Sequence, residues 1–190
     1  METKNIMIVG VGGQGTLLAS KLLGKILLKK GYDVKVSEVH GMSQRGGSVV
    51  TYVRYGDKVY SPVIDKGEAD FILSFELLEA ARWAEFLKAD GKIITNTQQM
   101  NPMPVITGAA QYPENIDSKL KELGVDVDAF DALELAEKAG SSKAVNLVLL
   151  GKLSTYFDFA DTDWMEAIES SVPEKFLEIN KRAFTFGKEA

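Results

Sequence analysis

The chain of 190 residues contains no cysteine and a single histidine. Without cysteine it can form no disulfide and no thiolate nucleophile, and it cannot hold an iron–sulfur cluster or a zinc ion through thiolates. One histidine also excludes a multi-histidine metal site within one chain, and no metal site is predicted. Any redox or metal chemistry must therefore be supplied by a cofactor or by another chain.

The sequence also lacks an excess of positive charge and any long apolar run. A net charge of −5 argues against a nucleic-acid-binding protein. No segment approaches the roughly 20 apolar residues of a membrane span, and the run 6–9 is too short for a signal peptide. We therefore expect a cytoplasmic protein that binds neither nucleic acid nor membrane.

Charge is distributed unevenly along the chain. Residues 1–58 carry nine Lys and Arg against four Asp and Glu, so the N-terminal third is the basic part. This favours an anionic ligand or an acidic partner near the N-terminus, although charges scattered over a solvated surface explain it equally well. Lys21, Lys25 and Lys29, four residues apart on one predicted helix, are interpreted as a solvated face.

Strands alternate with helices along the chain. Apolar runs and alternating patterns predict strands at 5–9, 33–39, 48–55, 69–74, 92–96 and 125–130, and helical spacing predicts helices at 16–30, 132–139 and 144–156. Ser74 is expected to cap a helix that runs to about residue 87, and Ser171 with Glu174 to form a capping box for the C-terminal helix. A hairpin is expected between the strand at 48–55 and residues 58–60, with its turn at Gly56 and Asp57, and a loop or short hairpin is expected at 105–107.

This order predicts a single domain over residues 1–190 with a three-layer α/β/α fold. The sheet should be Rossmann-like and mostly parallel, with one antiparallel hairpin. We expect the first two strands to be a parallel pair joined by the first helix in a right-handed crossover. A chain of this length can bury about 70% of its unfolded surface, so it needs no disulfide or structural metal.

The late apolar helix contains two exceptions to its pattern. Gly151 would let a neighbouring backbone come close, and Asn146 is polar where the surrounding residues are apolar. Because a buried asparagine needs hydrogen-bond partners, we expect Asn146 to tie a loop or a ligand to this helix.

The first glycine motif is residues 10–15, G-V-G-G-Q-G, between a predicted strand and a predicted helix. In a dinucleotide-binding protein, Gly10 would permit the tight turn, Gly12 the approach of a phosphate, and Gly15 close packing of the helix. Glu38, 23 residues after Gly15, then stands where such proteins place their ribose-binding acid. The other interpretation is a glycine turn that packs the helix or contacts a partner.

The second motif is residues 38–47, E-V-H-G-M-S-Q-R-G-G, which follows the second predicted strand. Its polar side chains should emerge at the carboxyl edge of the sheet, beside the first glycine motif. Arg45 is a fork-shaped anion binder between flexible segments. His40 could transfer protons, but no paired nucleophile or acid is evident, and a hydrogen-bonding role is the other interpretation.

Taken together, G-V-G-G-Q-G-T at 10–16 and E-V-H-G-M-S-Q-R-G-G-S-V at 38–49 resemble the small subunits of 2-oxoacid:ferredoxin oxidoreductases, and most of all those of the indolepyruvate branch. Asn146 and Gly151 also fit the family pattern. The resemblance implies an α/β/α subunit that pairs with a large subunit carrying thiamine diphosphate and [4Fe-4S] clusters. Such a complex decarboxylates a 2-oxoacid oxidatively, reduces ferredoxin and forms an acyl-coenzyme A.

This division of labour agrees with the missing cysteines: the chain alone should bind no cofactor and be inactive. The resemblance implies that the two motifs form the facing edge of the large subunit's cleft. The substrate of the complex is expected to be an arylpyruvate, because relatives that act on pyruvate or 2-oxoglutarate tend to have a proline and an acid in the loop of the second motif. The predicted catalytic residues are Arg45, His40 and Gln44, and the predicted cofactor-binding residues are Gly10, Gly12, Gly13, Gln14, Gly15, Ser43, Gly46, Gly47 and Asn146.

Two other functions remain open from the sequence. One is a stand-alone NAD(P)- or flavin-binding protein, which the first glycine motif and Glu38 favour. The other is a non-catalytic assembly module whose glycine loops only pack against a partner.

Overall fold

The computed structural model describes residues 2–40 and 47–190, and its strands form one six-stranded sheet. Along the chain the elements are β1 (Lys4–Val11), α1 (Thr16–Lys29), β2 (Asp33–His40), β3 (Ser48–Gly56), β4 (Ala69–Ser74), α2 (Leu77–Trp83), β5 (Leu87–Asn96), α3 (Met103–Ile106), α4 (Ile116–Glu122), β6 (Asp126–Phe130), α5 (Ala132–Ala139), α6 (Val145–Ser154), α7 (Asp161–Glu169) and α8 (Leu177–Glu189). The strand order is β2-β3-β1-β4-β5-β6. In the part of the sheet formed by β1, β4, β5 and β6, neighbouring strands are parallel. Strand β3 is antiparallel to both β1 and β2.

The core lies on both faces of β1. Ile6 and Ile8 belong to a cluster with apolar residues of α1, α5, α6, α7 and α8, and Met7 and Val9 belong to a second cluster with α2 and α4. All four side chains are completely buried. A continuous apolar run is typical of a strand covered on both faces, and the helices on either side confirm the three-layer α/β/α fold.

The expected pairing of β1 with β2 is wrong. The two strands do run in the same direction, but β3 lies between them and bonds to both. The chain turns back after β2, and β3 enters the position that a simple crossover would have given to β2. Helical and strand periodicity identifies each element, but it does not show which strand lies next to β1 in the sheet.

The hairpin expected between 48–55 and 58–60 is also wrong, because residues 57–68 contain no strand. The antiparallel hairpin is instead β2 with β3. After β3, the chain is held by Asp33, whose carboxylate accepts hydrogen bonds from the Val59 amide at 2.9 Å and from Lys35 at 2.6 Å. The bond from Lys35, followed by that from Val59, lowers the pKa of Asp33 to about 2.

Two predicted helix caps are not formed. Glu76, not Ser74, caps α2, and its carboxylate accepts the Glu79 amide at 2.9 Å, while the Ser74 hydroxyl donates to the Glu76 carbonyl. The capping box of Ser171 is not formed, because a 3-10 turn over 174–176 precedes α8 and neither start has a side-chain cap. The loop or short hairpin expected at 105–107 is instead occupied largely by the short α3 (Met103–Ile106), and α4 and α7 were not predicted.

The predicted close approach at Gly151 is confirmed. A Cβ on Gly151 would overlap the Phe184 carbonyl oxygen of α8, and a Cβ on Gly187 would overlap the Val148 carbonyl oxygen of α6. The two helices therefore cross backbone to backbone, as only glycine permits.

The basic face of α1 is not simply solvated. Lys25 donates to the Ser170 hydroxyl at 2.6 Å, and Lys29 pairs with Glu166 and, at 3.4 Å, with Asp163. These lysines tie α1 to α7, which sequence periodicity could not reveal. Within residues 2–40 and 47–190, no helix is long and apolar enough to cross a membrane.

Candidate functional site

The first glycine motif forms the turn between β1 and α1. Gly13 and Gly15 have φ angles of +97° and +91°, which strongly favour glycine. Gly15 is the residue that precedes α1, in the left-handed conformation. Gly10, predicted to make the tight turn, lies instead within β1, opposite Val49 of β3.

Gln14 braces this turn. Its Oε1 accepts the Val11 amide at 2.7 Å, and its Nε2 donates to the Phe75 carbonyl at the end of β4 at 3.1 Å. A Cβ on Gly10 would lie 2.8 Å from that Oε1, so glycine at this position makes room for the brace. The role of Gln14 that the structure displays is thus structural, and its predicted contact with a cofactor stays a prediction.

The two motifs contact each other directly. The Gly12 amide donates to the Gly47 carbonyl at 3.0 Å. The Gly12 amide is thus engaged by the last residue of the second motif, and the approach of a phosphate to Gly12 stays a prediction. This contact places Gly47, just before β3, beside the first glycine motif, whereas the positions expected for the polar side chains of the second motif stay predictions.

The remaining residues of the second motif cannot be placed in the same way. Ser43, Gln44, Arg45 and Gly46 lie outside the described residues. His40 ends β2, where its backbone pairs with Val49, and its side chain is likewise outside the description. The roles assigned to these five residues stay predictions.

Asn146 joins the late apolar helix to the first glycine motif, as expected. The side chain is 4% exposed, and its Nδ2 donates to the Gly15 carbonyl at 3.4 Å. A Cβ on Gly15 would lie 2.9 Å from the same Nδ2. The small size of Gly15 thus serves its contact with α6, not the packing of α1 on a strand.

The first glycine motif opens onto a cleft of about 590 Å³, here called the glycine cleft. It is lined by Gly12, Gly13, Gln14, Gly15, Gln98, Met100, Leu133, Ser142, Lys143 and Val145. Lys143 is the one cation among the described lining residues. Since the first amides of a helix have no intrahelical acceptor, the start of α1 and Lys143 together can bind an anionic group.

The sequence interpretation missed Gln98 and Lys143. Gln98 follows β5, and residues after parallel strands gather at one edge of the sheet, so this signal was available. Lys143 lies in the connection between α5 and α6, which carries no motif. Its place in the cleft follows only from the packing of α6.

Glu38 does not occupy the position of a ribose-binding acid. Its strand β2 is at the edge of the sheet, separated from β1 by β3. Two strand spacings of about 4.8 Å put β2 roughly 10 Å from the strand that carries the first glycine motif. The dinucleotide interpretation of Glu38 is therefore wrong.

Two buried carboxylates that the sequence interpretation also missed lie beside the two motifs. Glu76 and Glu79, at the start of α2, are 1% and 4% exposed. Glu76 Oε1 accepts hydrogen bonds from the Met100 amide at 3.0 Å and the Tyr112 hydroxyl at 2.5 Å. Burial, followed by the contact with Glu76, raises the pKa of Tyr112. This tyrosine therefore remains a neutral donor to the carboxylate.

Comparison with known proteins gives a consistent result. The family model described as pyruvate ferredoxin/flavodoxin oxidoreductase matches residues 5–190. The chain is 45% identical to indolepyruvate oxidoreductase subunit IorB of Thermococcus kodakarensis, over 100% of this chain and 96% of that protein. The corresponding subunit of Archaeoglobus fulgidus is 40% identical, over 96% and 92%.

Solved structures show the same fold. The pyruvate oxidoreductase subunit PORC of Thermotoga maritima superposes with a TM-score of 0.76 at 22% identity, covering 100% of this chain and 97% of that one. At this identity the likeness concerns the fold alone. The shared architecture extends over the whole sheet and its helices.

Proposed function

The chain belongs to the pyruvate ferredoxin/flavodoxin oxidoreductase family, and from this membership we propose that it is the small subunit of an indolepyruvate oxidoreductase. The supporting observation is its identity of 45% and 40%, over nearly the full length, to subunits of that name. The arylpyruvate preference inferred from the second motif points to the same substrate. A stand-alone NAD(P)- or flavin-binding protein is not supported, because β3 separates Glu38 from the first glycine motif and the whole chain matches the oxidoreductase family.

Within this proposal, the redox cofactors belong to a large partner subunit. The chain has no cysteine, so its side chains do not fit an iron–sulfur cluster held by thiolates. Thiamine diphosphate in the large subunit would supply the decarboxylation chemistry, with [4Fe-4S] clusters carrying electrons to ferredoxin. This chain alone is expected to be inactive.

The contribution of the small subunit is to complete the active-site cleft. The amides of Thr16 and Leu17 in the first turn of α1 have no intrahelical acceptor, and the dipole of this 14-residue helix favours an anion there. Gly15, the residue before this helix, lines the glycine cleft together with Lys143. These groups fit a carboxylate or a phosphate, the anionic parts of a 2-oxoacid, of thiamine diphosphate and of coenzyme A.

Binding and orientation are therefore the steps assigned to this chain. The glycine cleft would hold the anionic group while the reacting carbon lies in the large subunit. Arg45 would add a second, fork-shaped cation, and His40 and Gln44 would donate hydrogen bonds. Each of these three roles is carried over from the family resemblance.

Lys143→Ala tests the anion-binding role in the complex reconstituted from this chain and its large subunit. Loss of one charge-assisted hydrogen bond should raise the KM for indolepyruvate or coenzyme A by about tenfold, with assembly unchanged. The matched control is Lys138→Ala, because Lys138 is an exposed lysine that pairs only with Glu134 of its own helix among the described residues. If the two variants had equal kinetics, the anion-binding role of Lys143 would be refuted.

Arg45→Ala separates the active-site role from a pure assembly role. A complex that assembles by size-exclusion chromatography but loses turnover of indolepyruvate supports the active-site role. Normal assembly with normal turnover would favour the assembly module. Micromolar binding of NADH, NADPH or FAD by the isolated chain would contradict the subunit proposal.

A further inference from the structure

Glu79 is a buried carboxylate that accepts three side-chain hydrogen bonds. Its Oε2 accepts from the Ser48 hydroxyl at 2.5 Å and from Trp83 Nε1 at 3.2 Å, and its Oε1 accepts from Arg82 Nε at 3.1 Å. The side chain of Arg82 is 51% exposed and that of Glu79 only 5%. Burying a carboxylate is costly unless it is fully hydrogen-bonded, so these three donors hold Glu79 in one position.

Ser48 connects this carboxylate to the two glycine motifs. It is the first residue of β3 and follows Gly47, whose carbonyl accepts the Gly12 amide at 3.0 Å. In the sheet, Ser48 lies opposite Val11, at the start of the turn. A continuous path of one covalent link and two hydrogen bonds therefore runs from Glu79 through Ser48 and Gly47 to Gly12.

Glu76, three residues earlier, bonds to another part of the glycine cleft. It accepts the amide of Met100, which lines that cleft. Its other oxygen accepts the amide of Glu79, so the two carboxylates share one helix start. A cavity of about 200 Å³ that borders Val11, Ser48 and both glutamates also shares Met100 with the glycine cleft. The start of α2 therefore bonds both to Ser48, next to the glycine motifs, and to Met100, a lining residue of the glycine cleft.

We propose that Glu79, acting through Ser48, is a positioning residue that holds the junction of the two glycine motifs in the geometry that binds the anionic substrate. Glu79 touches neither substrate nor cofactor in this scheme; it sets where Gly47 and Gly12 lie. The proposal rests on the proposed function, because it assumes that the glycine cleft completes the active site. Arg82 donates to the other oxygen of this carboxylate, while Trp83 Nε1 donates both to Glu79 and, at 3.4 Å, to Ser48 Oγ.

The test uses the reconstituted complex and four variants of this chain. Ser48→Ala and Glu79→Gln should each raise the KM for indolepyruvate or coenzyme A by about tenfold, the effect of one hydrogen bond to a charged group, with kcat changed less than threefold. Ser48→Thr keeps a hydroxyl and should retain the KM of the parent complex. Ser118→Ala, the matched control, changes an exposed serine of α4 and should leave the KM within twofold.

A double-mutant cycle sharpens the result. Since Ser48→Ala removes the contact and Glu79→Gln removes the charge that strengthens the same contact, the double variant should raise the KM far less than the hundredfold product of the two. Independent, multiplicative effects would overturn the proposal. So would a Ser48→Ala variant that unfolds at lower temperature but keeps its KM, because that is a purely structural effect.

Lys143→Ala, assayed in parallel, distinguishes a failure of the positioning role of Glu79 from a failure of the anion-binding cleft. If it raises the KM while Ser48→Ala and Glu79→Gln match the control Ser118→Ala, the positioning role of Glu79 is refuted and the anion-binding cleft stands. If none of these variants alters the kinetics, both the cleft and the positioning role are refuted.

Discussion

Gly15→Ala changes a residue of the turn that has both a left-handed backbone and a close contact with a distant side chain. Gly15 has a φ of +91°, and a Cβ there would lie 2.9 Å from Asn146 Nδ2. Alanine must therefore accept a left-handed conformation and displace a side chain that is 4% exposed. We expect this variant to be among the more costly single-methyl additions in the chain.

The magnitude follows from two contributions. An alanine in the left-handed region costs about 1–2 kcal/mol relative to glycine. Displacing Asn146 breaks its hydrogen bond to the Gly15 carbonyl, which is worth about 1 kcal/mol. The free energy of unfolding should therefore fall by about 2–3 kcal/mol.

Gly13→Ala is the matched control. Gly13 has nearly the same φ, +97°, but nothing lies within 4 Å of its added Cβ. Only the conformational cost remains, so the loss should be about 1–2 kcal/mol. Equilibrium unfolding in urea, followed by circular dichroism, measures both variants against the parent chain.

The double variant with Asn146→Ala isolates the contact. Removing the amide relieves the overlap with an alanine at Gly15, so the two substitutions together should cost about 1 kcal/mol less than their sum. Additive costs, or equal losses for Gly13→Ala and Gly15→Ala, would refute the claim that Asn146 sets the size limit at Gly15.

Two further predictions concern packing and pH. Gly187→Ala should destabilise the chain by at least about 3 kcal/mol or prevent folding, because its Cβ overlaps the backbone of α6, whereas Gly31→Ala, at +87° with free space, should cost only about 1–2 kcal/mol. The pKa of Asp33 falls from 3.8 to about 2 on folding through bonds from Lys35 and Val59, so its stabilisation is complete above pH 4 and declines toward pH 2. The urea midpoints of the parent and Asp33→Asn should therefore differ at pH 7 and converge near pH 2; a constant difference would contradict this.

The strand and helix positions could be predicted where the residues carry a strong period. The apolar run at β1 and the helical spacing of α1 predict both elements within two residues, because burial on two faces or one face imposes those patterns. α7 was missed, although Trp164 and Ile168 are buried and four residues apart. Acidic residues between them obscure that pattern.

The candidate site was predicted in part. Both glycine motifs were identified from residue type and order, and the prediction that they lie together is confirmed by the bond from Gly12 to Gly47. Lys143 and Glu79 could not be found in this way. A single lysine or glutamate on a surface element has no distinctive spacing, and only packing shows that one lines the cleft and the other is buried.

The absence of cysteine, the two glycine motifs and the alternation of strands with helices follow from local composition, so the sequence by itself determined the fold class, the family resemblance and the exclusion of thiolate-held clusters in this chain. The insertion of β3 between β1 and β2, the contact of Asn146 with Gly15 across 131 residues, and the link from Glu79 to Ser48 were decided only by the tertiary structure. The physical reason is that periodicity reports the neighbours of a residue along the chain, whereas strand order and buried polar contacts depend on which distant segments compete for the same position.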